Sequence, residues 1–101
     1  MTAPDADPAP DSTLLSRTVT IVNRRGLHAR AAARFVKTAE RFKAEITVAR
    51  KDSVVSGLSI MGLMMLAAAP GATLELRASG PEAEAALEAL TKLVADKFDE
   101  D

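Results

Sequence analysis

The chain of 101 residues is long enough for one domain with a single core and too short for two. It is 48% apolar and 27% charged, as ordinary globular proteins are, and its formal net charge of -1 gives no reason to expect nucleic acid or a membrane as partner. It has no cysteine for a disulfide or a thiolate metal site, no apolar run near the roughly 20 residues of a membrane span, and no basic secretory signal, so we expect a soluble cytoplasmic protein.

The chain is predicted to open with a disordered tail and one strand. Residues 1–13, MTAPDADPAPDST, contain three prolines and three aspartates and little to bury, so we expect disorder there and a folded domain over residues 14–101. Alternating β-branched residues over 14–22 predict the first strand. The same alternation predicts strands over 44–48 and 73–78, and a weaker one over 53–56 that follows a polar hairpin turn.

Three helices are predicted between and after these strands. The first has an apolar stripe formed by Ala32, Phe35, Val36, Ala39 and Phe42. A short second helix over 59–68 begins at a serine cap and is stopped by Pro70-Gly71, and the third follows Gly80-Pro81-Glu82, with proline in its first turn. The order β-α-β-β-α-β-α predicts an α+β domain with helices on one side of a sheet.

His28, the only histidine, lies where the first helix is predicted to begin. Backbone N–H groups there lack intrahelical partners and the helix dipole is positive, so Arg30 in the first turn and two arginines just upstream are unfavourable. A phosphate would resolve this conflict, because it accepts hydrogen bonds from N–H groups and pairs with arginine. Because an imidazole nitrogen can carry a phosphoryl group covalently, the pattern favours a phosphohistidine over an ordinary loop histidine.

Two surfaces are predicted to meet protein partners. Spacings of four, three and four put four basic residues in one line along the first helix, here called the cation row: Arg30, Arg34, Lys37 and Arg41. This row is interpreted as a docking surface for an acidic protein, with a solvated helix face as the alternative. The short helix has more apolar positions than one face can bury, which predicts a partly exposed patch that includes Ile60, Met61, Leu63 and Met64.

The motifs GLHARAAARFV and SIMGLMMLAA, with the elements around them, resemble HPr, the histidine-containing phosphocarrier family of the bacterial phosphoenolpyruvate phosphotransferase system. The likeness covers residues 14 to about 98. It implies an HPr-like open-faced β-sandwich, in which a four-stranded antiparallel sheet carries three helices on one face. It also implies a phosphoryl carrier without a cofactor rather than a stand-alone enzyme.

The resemblance assigns roles to three residues. His28 matches the histidine that receives phosphate on Nδ1 from enzyme I and passes it to a IIA-type protein. Arg30 matches the arginine that contacts the phosphoryl group. Ser59 matches the serine that an HPr kinase/phosphorylase modifies in some bacteria.

Two residues depart from the pattern of the family. Ala31 stands where proline usually follows the arginine, and Leu58 stands where many relatives carry a basic residue before the serine. The helix can still begin with alanine, but without the rigidity of proline. HARAAA together with SIMGLMMLAA resembles the nitrogen-related branch of proteobacteria, which implies a regulatory role, with sugar transport as the alternative.

Other function classes fit the sequence less well. One histidine and no cysteine are too few for a hydrolytic triad or a zinc site. An RNA-binding sheet needs aromatic residues on its strands, and no phenylalanine falls in a predicted strand. A regulatory interaction domain whose histidine never turns over stays open as an alternative.

Overall fold

The computed structural model describes residues 14–100; the predicted disorder of residues 1–13 lies outside the described residues, as does Asp101. Four strands are present: β1 (Leu15–Thr20), β2 (Glu45–Arg50), β3 (Ser53–Ser56) and β4 (Thr73–Ser79). Three helices accompany them: α1 (Ala29–Ala39), α2 (Ile60–Met65) and α3 (Ala83–Ala95), with a short 3-10 turn at Lys97–Asp99. The strands form one antiparallel sheet in the order β1-β4-β2-β3.

Alternation along the strands decides which side chains enter the core. In β4, Leu74, Leu76 and Ala78 are buried, whereas the residues between them face away from the helices. Leu74 lies opposite Val19 of β1, and Leu76 lies opposite Val48 of β2. The helices cover this inner face, and the outer face of the sheet is left without a helix layer, as expected for an open-faced sandwich.

Element boundaries differ from the predictions where tertiary hydrogen bonds replace regular ones. β1 ends at Thr20 because the return hydrogen bond of the next pair is missing: the Ala72 N–H donates to Ala69 O, and the Ile21 carbonyl accepts from the Gly71 N–H instead. α2 ends at Met65 rather than at residue 68, because Ala67 has a φ of 53° and cannot continue a right-handed helix. Pro81 precedes the Glu82 cap of α3 rather than lying in its first turn.

The assignment of Leu63 to a partner-binding patch was wrong. Its side chain is fully buried, and the side chain of Leu66, one turn further on, is nearly so. These two residues are three apart and therefore share the face of α2 that packs toward α1 and β3. The predicted exposure is confirmed at the other positions, Ile60, Met61 and Met64, and their contact with partners stays a prediction.

No helix within residues 14–100 is long and apolar enough to cross a membrane.

Candidate functional site

The loop between β1 and α1 is pinned to the core at two points. Asn23 is completely buried, and its Nδ2 donates to Gly26 O at 2.8 Å. The Leu27 N–H donates to Ala68 O at 2.9 Å. Gly26 has a φ of +67°, and a Cβ atom there would lie 2.4 Å from Ala68 O, so only glycine fits. This anchoring fixes the position of His28 two residues later.

His28 is the N-cap of α1, as predicted from the sequence. Its backbone is extended, its carbonyl accepts the first helical hydrogen bond from Ala32 N, and its ring Nδ1 accepts from the Arg30 N–H at 3.3 Å. The side chain is only 17% exposed. The ring is therefore held at the positive end of the helix with one nitrogen turned toward the helix N–H groups.

The other ring nitrogen meets a carboxylate that the sequence analysis missed. His28 Nε2 lies 2.7 Å from Oε2 of Glu100, a residue 72 positions away whose side chain is 9% exposed. A carboxylate accepts from an N–H, so this contact puts the ring proton on Nε2 and leaves the lone pair on Nδ1. The bond from the Arg30 N–H to Nδ1 requires the same tautomer, so the two contacts agree.

Residues 96–100, here called the C-terminal hook, bring Glu100 to the histidine. Lys97, Phe98 and Asp99 have φ values of 59°, 55° and 63°, a left-handed turn that reverses the chain after α3. Phe98 is fully buried in the core. No periodicity marks this segment, and the only signal available from the sequence was an apolar residue among acidic ones near position 98.

The end of α3 before the hook carries an exposed ion pair. Lys92 Nζ lies 2.6 Å from Oδ2 of Asp96, one turn along the helix. The hydrogen bond to Asp96 and the charge of its carboxylate raise the pKa of Lys92 above its usual value. The pair ties the last turn of α3 to the first residue of the hook.

Positive charge surrounds the start of α1. The first turn contains no acidic residue, and all four members of the cation row are exposed. Among residues 14–100, none of the four has a carboxylate within ion-pair distance. Arg41 at the far end stacks over the Phe42 ring, 5.7 Å from its centroid. The row is therefore open to an external anion.

The exposed apolar side chains of α2 lie beside this row. Ile60 closes a groove of about 360 Å³ whose other walls come from α1 and its C-cap, with Arg30, Arg34 and Lys37 and the acidic Glu40 in the lining. Met61 is 70% exposed. Ser59, the N-cap of α2, accepts a hydrogen bond from Gly62 N at 2.9 Å. The structure therefore brings Arg30, Arg34 and Ile60 to one surface next to His28 and separates Leu63 from it.

The described residues contain no group of three side chains suited to hold a metal ion. The site instead offers one imidazole lone pair, free N–H groups and exposed cations, a combination suited to a phosphoryl group.

Comparison with known proteins also points to a site for a phosphoryl group. A family model described as "PTS HPr component phosphorylation site" matches residues 15–96. The chain belongs to the HPr family. The phosphocarrier protein HPr of Neisseria meningitidis is 48% identical over 87 residues, which cover 86% of this chain and 98% of that protein. The phosphocarrier protein NPr of Shewanella violacea is 47% identical, with 87% and 97% covered.

Solved HPr structures confirm the fold. The crystal structure of HPr-C-His from Thermoanaerobacter tengcongensis superposes with a TM-score of 0.82 at 41% identity, covering 86% of this chain and 98% of that one. HPr proteins are phosphocarriers of the phosphotransferase system, which relay a phosphoryl group and are not stand-alone catalysts. This HPr-family chain accordingly has a phosphocarrier role.

Proposed function

We propose that His28 is the phosphorylated residue, and that it takes the phosphoryl group from enzyme I and passes it to a IIA-type protein. The observation that carries this proposal is that the two ring nitrogens have different partners. Nε2 is hydrogen-bonded to the Glu100 carboxylate, and Nδ1 faces the backbone N–H groups at the start of α1. The Nδ1 lone pair attacks phosphorus, a P–N bond forms, and the bond from phosphorus to the donor group of enzyme I breaks. A nucleophilic group of the acceptor protein then attacks phosphorus, the P–N bond breaks, and the electron pair returns to Nδ1.

Glu100 and α1 have complementary parts in this transfer. Attack by Nδ1 gives the ring a positive charge while the proton stays on Nε2, and the Glu100 carboxylate balances that charge. A protonated ring is also the better leaving group, so phosphate can be passed on. The Arg30 N–H exchanges its weak bond to Nδ1 for a phosphoryl oxygen, and the Arg30 guanidinium adds a charge-assisted contact.

Both protein partners dock on the surface formed by α1 and α2. Arg34 supplies charge, and Ile60, Met61 and Met64 supply exposed apolar contacts. Such a surface, with unbranched methionines, can adapt to two different partners in turn.

The role that we favour is regulatory, in a nitrogen-related phosphotransferase system. The support is the pairing of HARAAA with SIMGLMMLAA and the NPr relative at 47% identity. Relatives named HPr reach similar identity, which supports the alternative of a carrier for sugar transport.

Ser59 is proposed as a second modification site for an HPr kinase/phosphorylase. It is partly exposed, and a phosphate there would lie beside Ile60 and Met61, so its charge would hinder docking rather than alter the chemistry of His28. The Ser59→Asp variant tests this idea: its melting temperature should stay near wild type while enzyme I phosphorylates it more slowly. Phosphorylation at the wild-type rate over a range of enzyme I concentrations would leave Ser59 as a cap only.

The deciding experiment mixes the protein with phosphoenolpyruvate and enzyme I and follows intact mass. One phosphate should be added, labile in acid and stable in base, and it should be absent from the His28→Ala variant, which keeps its fold. Running sugar-type and nitrogen-type enzyme I in parallel distinguishes the two branches by rate. No phosphate from either enzyme would favour the interaction domain without turnover.

A further inference from the structure

The cation row has a counterpart in its own chain. Residues 1–13 carry Asp5, Asp7 and Asp11 and no basic side chain, and they directly precede β1. We propose that this acidic segment docks on the cation row and competes there with acidic protein partners. The effect on partners rests on the proposed function, whereas the docking itself does not.

The row is available for such an occupant. Its four cations are exposed and, among residues 14–100, have no carboxylate partner. Arg30, Arg34 and Lys37 lie along one face of α1, about 10 Å from first to last at 1.5 Å per residue, and Arg41 follows in the turn after the helix. Four neighbouring cations without carboxylate partners attract an anionic chain more strongly than one cation does, because the charges act together at low salt.

The acidic segment joins the domain at the end of the sheet that lies next to the C-terminal end of α1. Leu15 lies opposite Ala78, and Ala78 lies opposite Ile46, so the start of β1 is about 10 Å from the start of β2 across two strand spacings. The chain that joins Arg41 to β2 lies at this same end of the sheet. Thirteen residues can extend about 45 Å, so the aspartates can reach from the foot of α1 to its middle.

A groove on this side of the row suits the uncharged residues of the segment. It has a volume of about 150 Å³, lies between α1 and α3, and has Leu93 and Thr38 among its walls, with Arg34, Lys37 and Arg41 at its rim. Asp99 is the one acidic residue in its lining. The residues between Asp7 and Asp11 are uncharged, Pro8, Ala9 and Pro10.

Competition follows because two grooves share the same cations. Arg34 and Lys37 line the groove toward α3 and also the groove toward α2 that is proposed for partners. An aspartate that pairs with either cation from one side lowers the charge that a partner meets on the other side.

Docking can be measured without any partner. Because the chain has no cysteine, Ala6→Cys gives a single site for a nitroxide label in the full-length protein. We expect relaxation enhancement at backbone amides of residues 34–41, and its loss both in 0.5 M NaCl and when all three aspartates are changed to asparagine. The matched variant with all three changed to glutamate should keep it. Enhancement that ignores charge and salt, or that stays near β1, would overturn the proposal.

Two further arms separate the remaining explanations. One arm mixes chains that carry the nitroxide but no nitrogen-15 with nitrogen-15 chains that carry no nitroxide. Relaxation enhancement in the nitrogen-15 chains would assign the contact to a second copy and overturn the intramolecular proposal. With enzyme I limiting, the asparagine variant should be phosphorylated about two- to fivefold faster at low salt, as expected if the segment occupies the row for half to four-fifths of the time. An unchanged rate despite positive relaxation data would refute competition, whereas no phosphorylation of any variant would refute only the proposed function.

Discussion

Replacing Phe98 with alanine should open the C-terminal hook without unfolding the domain. Phe98 is fully buried, and truncating a buried phenylalanine in a rigid core costs about 3–5 kcal/mol. The hook also holds three consecutive non-glycine residues in left-handed conformations, at about 1–2 kcal/mol each, or roughly 3–6 kcal/mol in all. The two quantities are similar, so without the ring the hook relieves its strain by detaching.

The stability of the Phe98→Ala variant should therefore fall by less than a cavity would cost. We expect a loss below about 2 kcal/mol in denaturant unfolding, against about 2–5 kcal/mol for Leu90→Ala, which removes a smaller but equally buried side chain from the middle of α3. Phe98→Ala removes more side-chain atoms than Leu90→Ala, yet it should lower the free energy of unfolding by less. If Phe98→Ala is destabilised as strongly as Leu90→Ala, the hook stays closed around a cavity and its backbone strain is too small to detach it.

Phosphoryl transfer to His28 gives the second readout. An open hook withdraws Glu100, and losing a charge-assisted hydrogen bond worth about 1.5 kcal/mol slows transfer about tenfold. Glu100→Ala should slow transfer by the same factor, and the double variant Phe98→Ala/Glu100→Ala should be no slower than either single one, because all three lack the same contact. Additive losses would show that Phe98 acts on the site by another route.

Three other comparisons of variants test the rest of the site. Arg30→Ala should slow transfer while leaving the melting temperature unchanged or slightly higher, because it also removes a cation from the first turn of a helix; unchanged transfer at matched salt would exclude a role for this side chain. Gly26→Ala should cost at least about 2 kcal/mol more than Gly71→Ala in denaturant unfolding, because both positions have positive φ but only Gly26 faces a backbone oxygen, at 2.4 Å; equal losses would refute the steric argument. Leu63→Ala should lower stability by about 2–5 kcal/mol, whereas Met61→Ala should leave it within about 0.5 kcal/mol and instead weaken enzyme I binding in titration calorimetry; the reverse pattern would contradict the orientation of α2.

The strands and helices followed from patterns between neighbours in the chain. Alternation in residues 73–78 marked β4 because a half-buried strand must present every second side chain to the core. The positions of α1 and of its cap at His28 were also predictable, because the backbone N–H groups that lack partners at a helix start belong to residues next to each other in the chain. Ends were less predictable where hydrogen bonds from a distant segment ended an element, as those of Gly71 and Ala72 do for β1.

The α2 patch shows where a local pattern stops being informative. Nearly all six positions of α2 are apolar, so they show no periodicity, and the sequence did not indicate which of them pack inward. Packing of α2 against α1 and β3 made the choice, burying Leu63 and exposing Met61.

By itself the sequence determined that one histidine begins a helix, surrounded by positive charge and lacking acidic compensation, and this indicated an anion. Only the tertiary structure decided what the Nε2 side of the ring meets, because Glu100 lies 72 residues away in the chain. The physical reason is that helix starts and charge spacing arise from residues in contact along the chain. A contact across the fold depends on where a left-handed turn and a buried ring direct the chain, and neither has a repeating pattern in the sequence.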